Sequence, residues 1–150
     1  MSENKSLLSI LLVARNDNYT PDYIQRLSYS LNFISQNIKE LNLVNEIKIE
    51  IVDWGSEKPL STSLTILDDD FNKIINFYEV DTKTSKKYDE LCLGNFFVEV
   101  ACNVGFRRSN SEFILNCPAD QILSKNSIKN LYDFLLAEKK NKMRNFYILH

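Results

Sequence analysis

The most restrictive feature of the sequence is a predominantly apolar run from Leu8 to Ala14, followed directly by the polar loop Arg-Asn-Asp-Asn-Tyr. A continuous apolar run without polar alternation is typical of a parallel strand whose two faces are both covered. The stretch Leu7–Ala14 is too short to span a bilayer, and no small-residue cleavage site follows it. We therefore expect a buried strand here.

The segment after this loop carries the strongest helix signal in the chain. Thr20 supplies an N-cap hydroxyl, Pro21 suits the first helical position, and Asp22 places a carboxylate in the first turn. Apolar side chains then recur every three or four residues, which predicts one buried helix face. These side chains are Ile24, Leu27, Leu31, Ile34, Ile38 and Leu41.

Strands and helices alternate along the rest of the chain. The segment from Glu46 to Asp53 alternates apolar and polar residues, which predicts a strand with Lys48 and Glu50 on a wet face. Further strands are predicted at 73–80, 113–117 and 145–149, with a short helix within 60–67, a mostly helical segment over 88–108, and a last helix capped by Ser124. This alternation predicts βαβ units. We expect a single domain over residues 1–150, with a Rossmann-like three-layer α/β/α fold and a mainly parallel sheet.

Composition excludes several functions. The chain has 18 basic and 20 acidic residues, a net charge of −2 and a pI near 5.5, so it lacks the basic surface that binds nucleic acid. Its only histidine is His150, so Ser-His-Asp and Cys-His mechanisms have no internal base. Cys92, Cys102 and Cys117 form no C-x-x-C pair. They suit a reducing cytoplasm, in which they act as small apolar side chains.

Polar residues follow three of the predicted strands. They are Arg15, Asn16 and Asp17 after the first strand, Asp53 and Trp54 at the end of the second, and Asp120 after the strand at 113–117. Parallel strands bring their carboxyl ends to one edge of the sheet, where open α/β folds bind ligands. Carboxylates there suit the N–H and hydroxyl groups of a nucleoside, or a cation bound to a diphosphate. Neither G-x-G-x-x-G nor a P-loop motif is present, so side chains would have to hold a nucleotide.

Each of these residues also has a structural interpretation. Asp17 suits a turn, Asp53 suits the end of a strand, and Trp54 suits packing in a core. Arg107 and Arg108 suit the C-terminal end of a helix as well as a phosphate group. The shared position at strand ends, rather than any single residue, therefore carries the prediction of a ligand site.

The order of these segments resembles the nucleotide-sugar-binding half of a GT-A glycosyltransferase of the family 2 type. The matching segments are an apolar strand ending in ARNDNY, then IVDW, then ACNVGFRRSNSEFILNCPAD, within roughly residues 7–149. In that family a loop after the first strand contacts the base, and a carboxylate closing the second strand holds the base or ribose. A later strand ends at a D-x-D motif. Each motif is short, so their order is the specific part of the resemblance.

The resemblance implies a set of site residues. The nucleotide-binding residues would be Ala14, Arg15, Asp17, Asp53, Asn103, Arg107 and Arg108. Among these, Asp53 would bind the base or ribose. Arg107, in the N-x-G-x-R element that begins at Asn103, would lie near the diphosphate, with Arg108 as the alternative cation. Asp120 matches the last carboxylate of D-x-D and would hold Mg²⁺ or Mn²⁺ together with the diphosphate.

Two features depart from the family pattern. The D-x-D position reads Pro118-Ala119-Asp120, so one carboxylate with water and diphosphate would hold the metal. The run Asp68-Asp69-Asp70 precedes a strand, and we interpret it as a solvated acidic turn.

The acceptor site and general base of the family follow the fifth strand, whereas this sequence ends at His150. We therefore expect a domain that lacks the acceptor region, and we assign no catalytic residue.

The resemblance implies a cytoplasmic glycosyltransferase donor-binding domain that uses a UDP- or GDP-linked sugar and an unidentified acceptor. The missing carboxylate and acceptor region also fit a non-catalytic nucleotide-binding module. A third hypothesis is a Rossmann-like interaction domain whose interface uses aromatic residues, namely Tyr19, Tyr23, Trp54 and Phe106. An incomplete fold exposes apolar surface, which is compatible with a homo-oligomer. We expect neither a transmembrane segment nor a nucleic-acid partner.

Overall fold

The computed structural model describes residues 5–17, 20–93 and 95–140. Its elements in chain order are β1 (Ser6–Ala14), α1 (Tyr23–Glu40), β2 (Ile47–Trp54), α2 (Leu60–Ser63), a 3-10 turn (Asp69–Lys73), β3 (Ile75–Val80), α3 (Thr82–Asp89), α4 (Val98–Arg108), β4 (Ser111–Asn116) and α5 (Lys125–Lys140). The strand predicted at 145–149 lies outside the described residues.

The four strands form one parallel sheet in the order β3-β2-β1-β4. Strand β1 pairs with β2 from Leu8, opposite Ile47, to Ala14, opposite Asp53. Helices α1 and α5 cover one face of the sheet and α4 covers the other. The predicted α/β class with a Rossmann-like three-layer architecture is confirmed.

The larger core lies between the sheet and helix α1. The apolar side chains that recur along α1 are fully buried at Leu27, Leu31, Ile34 and Ile38. They pack against alternate residues of β1 and β2, which are Leu8, Ile10, Leu12, Ile47, Ile49 and Ile51. Because every one of these side chains is at most 1% exposed, the hydrophobic effect fixes which face of α1 meets the sheet.

On the second face of the sheet, helix α4 approaches strand β1 at Gly105. A β-carbon built on Gly105 would lie 2.2 Å from Cδ1 of Leu11 in β1, so any larger residue here would require the Leu11 side chain or the helix to move. The cluster around this contact joins Leu11, Val52, Trp54 and Ala101. This close approach fixes the distance between α4 and the sheet.

Two predictions on this fold are wrong at the level of individual residues. Helix α1 begins at Tyr23, because Asp22 adopts a left-handed backbone with φ of 61°. The Thr20 hydroxyl donates to the Pro21 carbonyl and does not cap the helix. Glu50 is buried rather than solvated, since the α4 face covers it and the Tyr78 hydroxyl donates to its Oε1 at 3.3 Å.

The segment predicted as mostly helical over 88–108 is divided. Helix α3 ends at Asp89 and α4 begins at Val98, and between them Asn95 has a positive φ of 54°. The last helix is confirmed, with Ser124 Oγ accepting a hydrogen bond from the Ser127 N–H at 3.1 Å. The short helix within 60–67 is also confirmed, as α2.

Candidate functional site

The strand order places a topological switch point between β1 and β4. The chain moves outward from β1 to β2 and β3, and then returns to the other side of β1 to form β4. In open α/β sheets, ligands bind beyond the carboxyl ends of the strands at such a reversal. The loops that leave β1 and β4 at this edge begin at Arg15 and Cys117.

Two cavities open at the carboxyl edge. The larger, of about 800 Å³, lies between the first turns of α1 and the segment 63–67, and its lining includes Tyr23 and Tyr29. The smaller, of about 410 Å³, lies beyond β1, β2 and β3, and its lining includes Arg15, Asp17 and Lys86. Asn16 lines both cavities. Its side-chain amide donates to Lys58 O and Ser63 Oγ, both at 3.2 Å, so it forms the wall between them.

The loops after β1 and β4 come close together at Arg26. Its guanidinium lies 3.5 Å from Asp120 in the loop after β4 and donates to Thr20 Oγ1 in the loop after β1 at 3.0 Å. Nearby, burial is the main cause that raises the pKa of Tyr23 to about 12, and the carboxylates of Asp120 and Asp17 raise it further. The structure therefore places Asp120, a predicted site residue, beside an arginine of α1 at the switch point.

The loop after β4 is bonded to α1. Ser30 Oγ donates to Gln121 O at 2.6 Å, and Asn37 Nδ2 donates to Leu123 O at 3.1 Å. Both side chains are buried. These bonds explain why Asp120, only four residues beyond the end of β4, lies against the second turn of α1.

The segment after α2 is bonded to α1 as well. The buried Asn32 side chain donates to Thr65 O and accepts from the Leu67 N–H, at 2.7 and 2.8 Å. Ser28 Oγ accepts from the Thr65 N–H at 3.1 Å. Helix α1, which forms one side of the larger cavity, thus holds the segment that forms the opposite side.

Arg15 lies at the predicted edge, but its guanidinium is engaged within the protein. It forms salt bridges of 2.8 Å to Asp17 and 2.7 Å to Asp89, and it donates to Asn95 O at 2.9 Å. Its charged end also stacks on the Phe96 ring, 4.9 Å from the centroid. With its side chain only 18% exposed, Arg15 is a structural link between the wall of the smaller cavity and the segment before α4.

Asp53 and Trp54 are also used internally. Asp53 is 2% exposed, and its carboxylate accepts hydrogen bonds from the N–H groups of Ser56 and Leu60, at 3.3 and 2.8 Å. Trp54 is 1% exposed and donates from Nε1 to Asp89 at 2.8 Å. Of the two interpretations considered for Trp54, packing is confirmed. It offers no surface for a base or a protein partner.

The residues of the N-x-G-x-R element lie apart from this edge. Helix α4 runs back toward the start of β4, which begins three residues after Arg108, so Arg107 and Arg108 lie at the amino edge of the sheet. There Arg108 stacks over the Tyr78 ring, 5.6 Å from its centroid. Asn103 and both arginines are exposed on the outer side of α4. The structure does not bring these three residues together with Asp120.

Asp89 is the site residue that sequence reasoning missed most completely. Its buried carboxylate accepts from Arg15, Trp54 and the Phe97 N–H, all within 2.8 Å. In the sequence it stands in the charged stretch Lys86-Lys87-Tyr88-Asp89-Glu90, which is typical of a solvated helix face. Arg26 was missed for a similar reason, since it flanks the apolar positions of α1 without a motif of its own, and Tyr23 was considered only as an aromatic residue of a protein interface.

The acidic run Asp68-Asp69-Asp70 forms a turn, as the sequence analysis predicts. Asp68 caps the 3-10 turn by accepting from the Asp70 N–H at 2.8 Å, and Lys39 pairs with both carboxylates at 2.7 and 3.0 Å. Hydrogen bonds from Lys73 and then Lys39 lower the pKa of Asp70 to about 2. The run is a charged, partly exposed turn on the surface.

The described residues do not assemble a metal site by themselves. No group of three or more His, Cys, Asp or Glu side chains with metal-binding geometry occurs in 5–17, 20–93 or 95–140. The three cysteines are free thiols, and burial raises the pKa of Cys102 and Cys117, which disfavours the thiolate that metals bind. A metal at Asp120 would therefore need oxygen ligands from a bound phosphate and water.

The fold and the position of the cavities define a doubly wound parallel α/β protein with two cavities beyond the carboxyl ends of β1, β2 and β3. Comparison with protein-family models and with curated protein sequences finds no match to this chain. No helix within the described ranges is long and apolar enough to cross a membrane.

Proposed function

We propose that the chain binds a nucleoside diphosphate sugar, UDP- or GDP-linked, at the carboxyl edge of its sheet, as the donor-binding part of a glycosyltransferase. The observation that carries this proposal is the meeting of the loops after β1 and β4. There the Arg26 guanidinium lies 3.5 Å from Asp120 in the loop after β4 and donates to Thr20 Oγ1 in the loop after β1 at 3.0 Å. The order of sequence segments, described above, supports the choice of a nucleotide sugar as the ligand.

Within this proposal the nucleoside binds in the smaller of the two cavities. The smaller cavity, of about 410 Å³, falls within the range of about 300–1,000 Å³ that small-molecule sites occupy, and it takes the nucleoside. Asp17 and Asn16 on its wall offer polar groups to a base or ribose. The diphosphate extends from there toward Asp120, at the end of β4.

A divalent cation fits this arrangement only together with the ligand. Mg²⁺ in proteins commonly has one or two carboxylate ligands, with phosphate oxygens and water completing its shell. Asp120, whose side chain is 42% exposed, can supply one such carboxylate. When bound, the cation neutralises charge that develops on the leaving diphosphate.

A specific observation favours a second candidate, a non-catalytic nucleotide-binding module. The D-x-D position keeps a single carboxylate, Asp120, and this carboxylate lies 3.5 Å from the Arg26 guanidinium rather than beside a second acidic side chain. Such a module would bind the nucleotide without transferring a sugar to any acceptor. In either case the free cysteines suit a cytoplasmic location.

Calorimetric titration with UDP and GDP, with Mn²⁺ or with EDTA, tests the proposal. The variants are Asp120→Ala and, as a matched control, Asp133→Ala, which removes an exposed carboxylate on α5. We expect wild type and Asp133→Ala to bind one nucleotide more tightly with Mn²⁺, and Asp120→Ala to lose that dependence. Equal binding with Mn²⁺ and with EDTA would contradict the metal role, and no binding of either nucleotide would contradict the proposed function.

Hydrolysis or transfer of the sugar separates the two candidates. Incubation of the protein with UDP-linked or GDP-linked sugars, followed by measurement of released nucleotide, detects the slow transfer of sugar to water that a competent donor site supports. Release that Asp120→Ala abolishes favours the glycosyltransferase. Nucleotide binding without release favours the binding module.

A further inference from the structure

We propose that Arg26 on α1 is the cation that binds the phosphate groups of the ligand, the role that the sequence assigned to Arg107 or Arg108. This inference rests on the proposed function and names the residue that holds the diphosphate within it. It follows from the position of Arg26, from the weakness of its internal contacts and from the engagement of the other arginines.

Arg26 lies between the loop after β4 and the loop after β1. Its Nη1 is 3.5 Å from Asp120 Oδ2, and its Nη2 donates to Thr20 Oγ1 at 3.0 Å. Thr20 lines the larger cavity, and Asp120 follows the strand at the switch point. The guanidinium therefore lies between the carboxylate that we assign to the diphosphate and the mouth of a cavity.

The internal contacts of Arg26 are weak enough for a ligand to replace. The Arg26 and Asp120 side chains are 48% and 42% exposed, and an exposed ion pair at this distance contributes little to stability. The planar guanidinium can donate two parallel hydrogen bonds to phosphate oxygens, which makes a stronger contact than a loose pair with one carboxylate. Binding of phosphate by Arg26 would also release Asp120 to act as a ligand for a cation.

The other described arginines are not available at this place. Arg15 is held by Asp89, Asp17 and the Asn95 carbonyl, as described above. Arg107 and Arg108 lie at the amino edge of the sheet, where α4 leads into β4. Among the arginines that the structure describes, Arg26 is thus the one with a loosely held guanidinium at the switch point.

A hydrogen bond holds the loop that contains Asp120 against the helix that carries Arg26. Ser30, one turn beyond Arg26 on α1, donates to the Gln121 carbonyl at 2.6 Å. This bond ties the loop residue next to Asp120 to the same helix that carries Arg26. The backbone at Asp120 is therefore held at a fixed place against α1, so that a phosphate bound by Arg26 would lie beside the Asp120 carboxylate.

Calorimetric titration of UDP and of uridine tests this role, on wild type, Arg26→Met, Arg26→Lys and the matched control Arg108→Met. GDP and guanosine replace them if the protein prefers guanine. We expect Arg26→Met to weaken UDP binding by about tenfold to a hundredfold, the effect of losing a charged hydrogen-bond donor, and to leave uridine binding unchanged. Arg26→Lys should retain part of the affinity, and Arg108→Met should bind UDP within about twofold of wild type.

The outcomes separate this inference from the proposed function. If wild type binds UDP and Arg26→Met binds it equally well, the inference is wrong and the proposed function stands. An equal loss of UDP and uridine affinity in Arg26→Met, with an unchanged thermal midpoint, also overturns it, because the residue would then act on the nucleoside. If wild type binds neither nucleotide, both proposals fail.

Discussion

Arg15 and Asp89 stand 74 positions apart in the sequence and form a salt bridge of 2.7 Å. The Asp89 carboxylate also accepts from Trp54 Nε1 and from the Phe97 N–H, each at 2.8 Å. One buried carboxylate thus joins the ends of β1, β2 and α3 to the start of α4. The wall of the smaller cavity depends on this group.

Substitution of Asp89 should therefore be strongly destabilising. Asp89→Ala leaves a buried indole N–H, a backbone N–H and the Arg15 charge without their acceptor, so we expect the free energy of unfolding to fall by about 3–5 kcal/mol. Urea denaturation measures the change. Glu90→Ala, the removal of an exposed neighbouring carboxylate, should change it by less than about 0.5 kcal/mol. A similarly small effect in Asp89→Ala would contradict the role of this residue.

Asp53 should behave as a structural residue as well. Asp53→Ala leaves the N–H of the fully buried Leu60 unpaired, which should lower the free energy of unfolding by about 1–3 kcal/mol. Asp53→Asn retains one acceptor oxygen and should lose less. Denaturation of both variants beside Glu57→Ala, in the same loop, checks the order of the effects. If Asp53→Ala is as stable as wild type, the carboxylate is free to serve a ligand.

The contact between Gly105 and Leu11 predicts the effect of a single methyl group. Gly105→Ala gains about 1 kcal/mol of helix propensity, but its β-carbon would lie 2.2 Å from a fully buried leucine, and overpacking costs about 1–3 kcal/mol. We expect a net loss of stability and a lower thermal midpoint. Asn103→Ala, on the exposed side of the same helix, should instead be neutral or slightly stabilising.

A double variant identifies the cause of the Gly105 effect. Leu11→Val shortens the side chain that the new β-carbon would meet. The loss in Gly105→Ala combined with Leu11→Val should therefore be smaller than the sum of the two single losses. Additive losses in thermal denaturation would show that the two residues do not collide.

The raised pKa of Tyr23 predicts that the stability of the protein falls at alkaline pH. Its pKa is raised from 10.0 to about 12, mainly by burial, so the folded state holds the phenolic proton more tightly than the unfolded state. The stabilisation is fully present below pH 10, and it is lost as the pH rises from 10 toward 12. Tyr23→Phe removes it.

Denaturation of wild type and Tyr23→Phe at several alkaline pH values measures this effect. The stability of wild type relative to the variant should fall across that interval, while contributions from other tyrosines cancel in the comparison. A pH-independent difference between wild type and Tyr23→Phe would show that Tyr23 titrates normally.

The sheet could be predicted from sequence because its strands carry period-two or continuous apolar patterns, as β1 does from Leu8 to Ala14. Such patterns report burial, and burial decides which residues form the core. They do not show in which direction a helix runs relative to the strands of the sheet. The position of Arg107 and Arg108 at the amino edge follows from the course of α4 between β3 and β4, which becomes visible only once the strands are ordered.

The polar contacts at the carboxyl edge were least accessible to sequence reasoning. Asp17 and Asp120 follow strands and Asp53 lies near the end of β2, so topology alone places them at one edge. Whether each carboxylate faces a ligand or a backbone N–H depends on contacts such as those of Asp53 with Leu60 and of Asp89 with Phe97. These contacts link residues across loops that carry no periodic signal.

Hydrogen bonds from α1 hold the loops after β2 and β4, through Asn32 on one side and Ser30 on the other. The larger cavity lies between α1 and the segment that Asn32 holds, so its two sides belong to one rigid body. A rotation or tilt of this helix displaces both sides in the same motion. The cavity therefore keeps its width when α1 moves on the sheet, and what changes is its position relative to the ends of the strands.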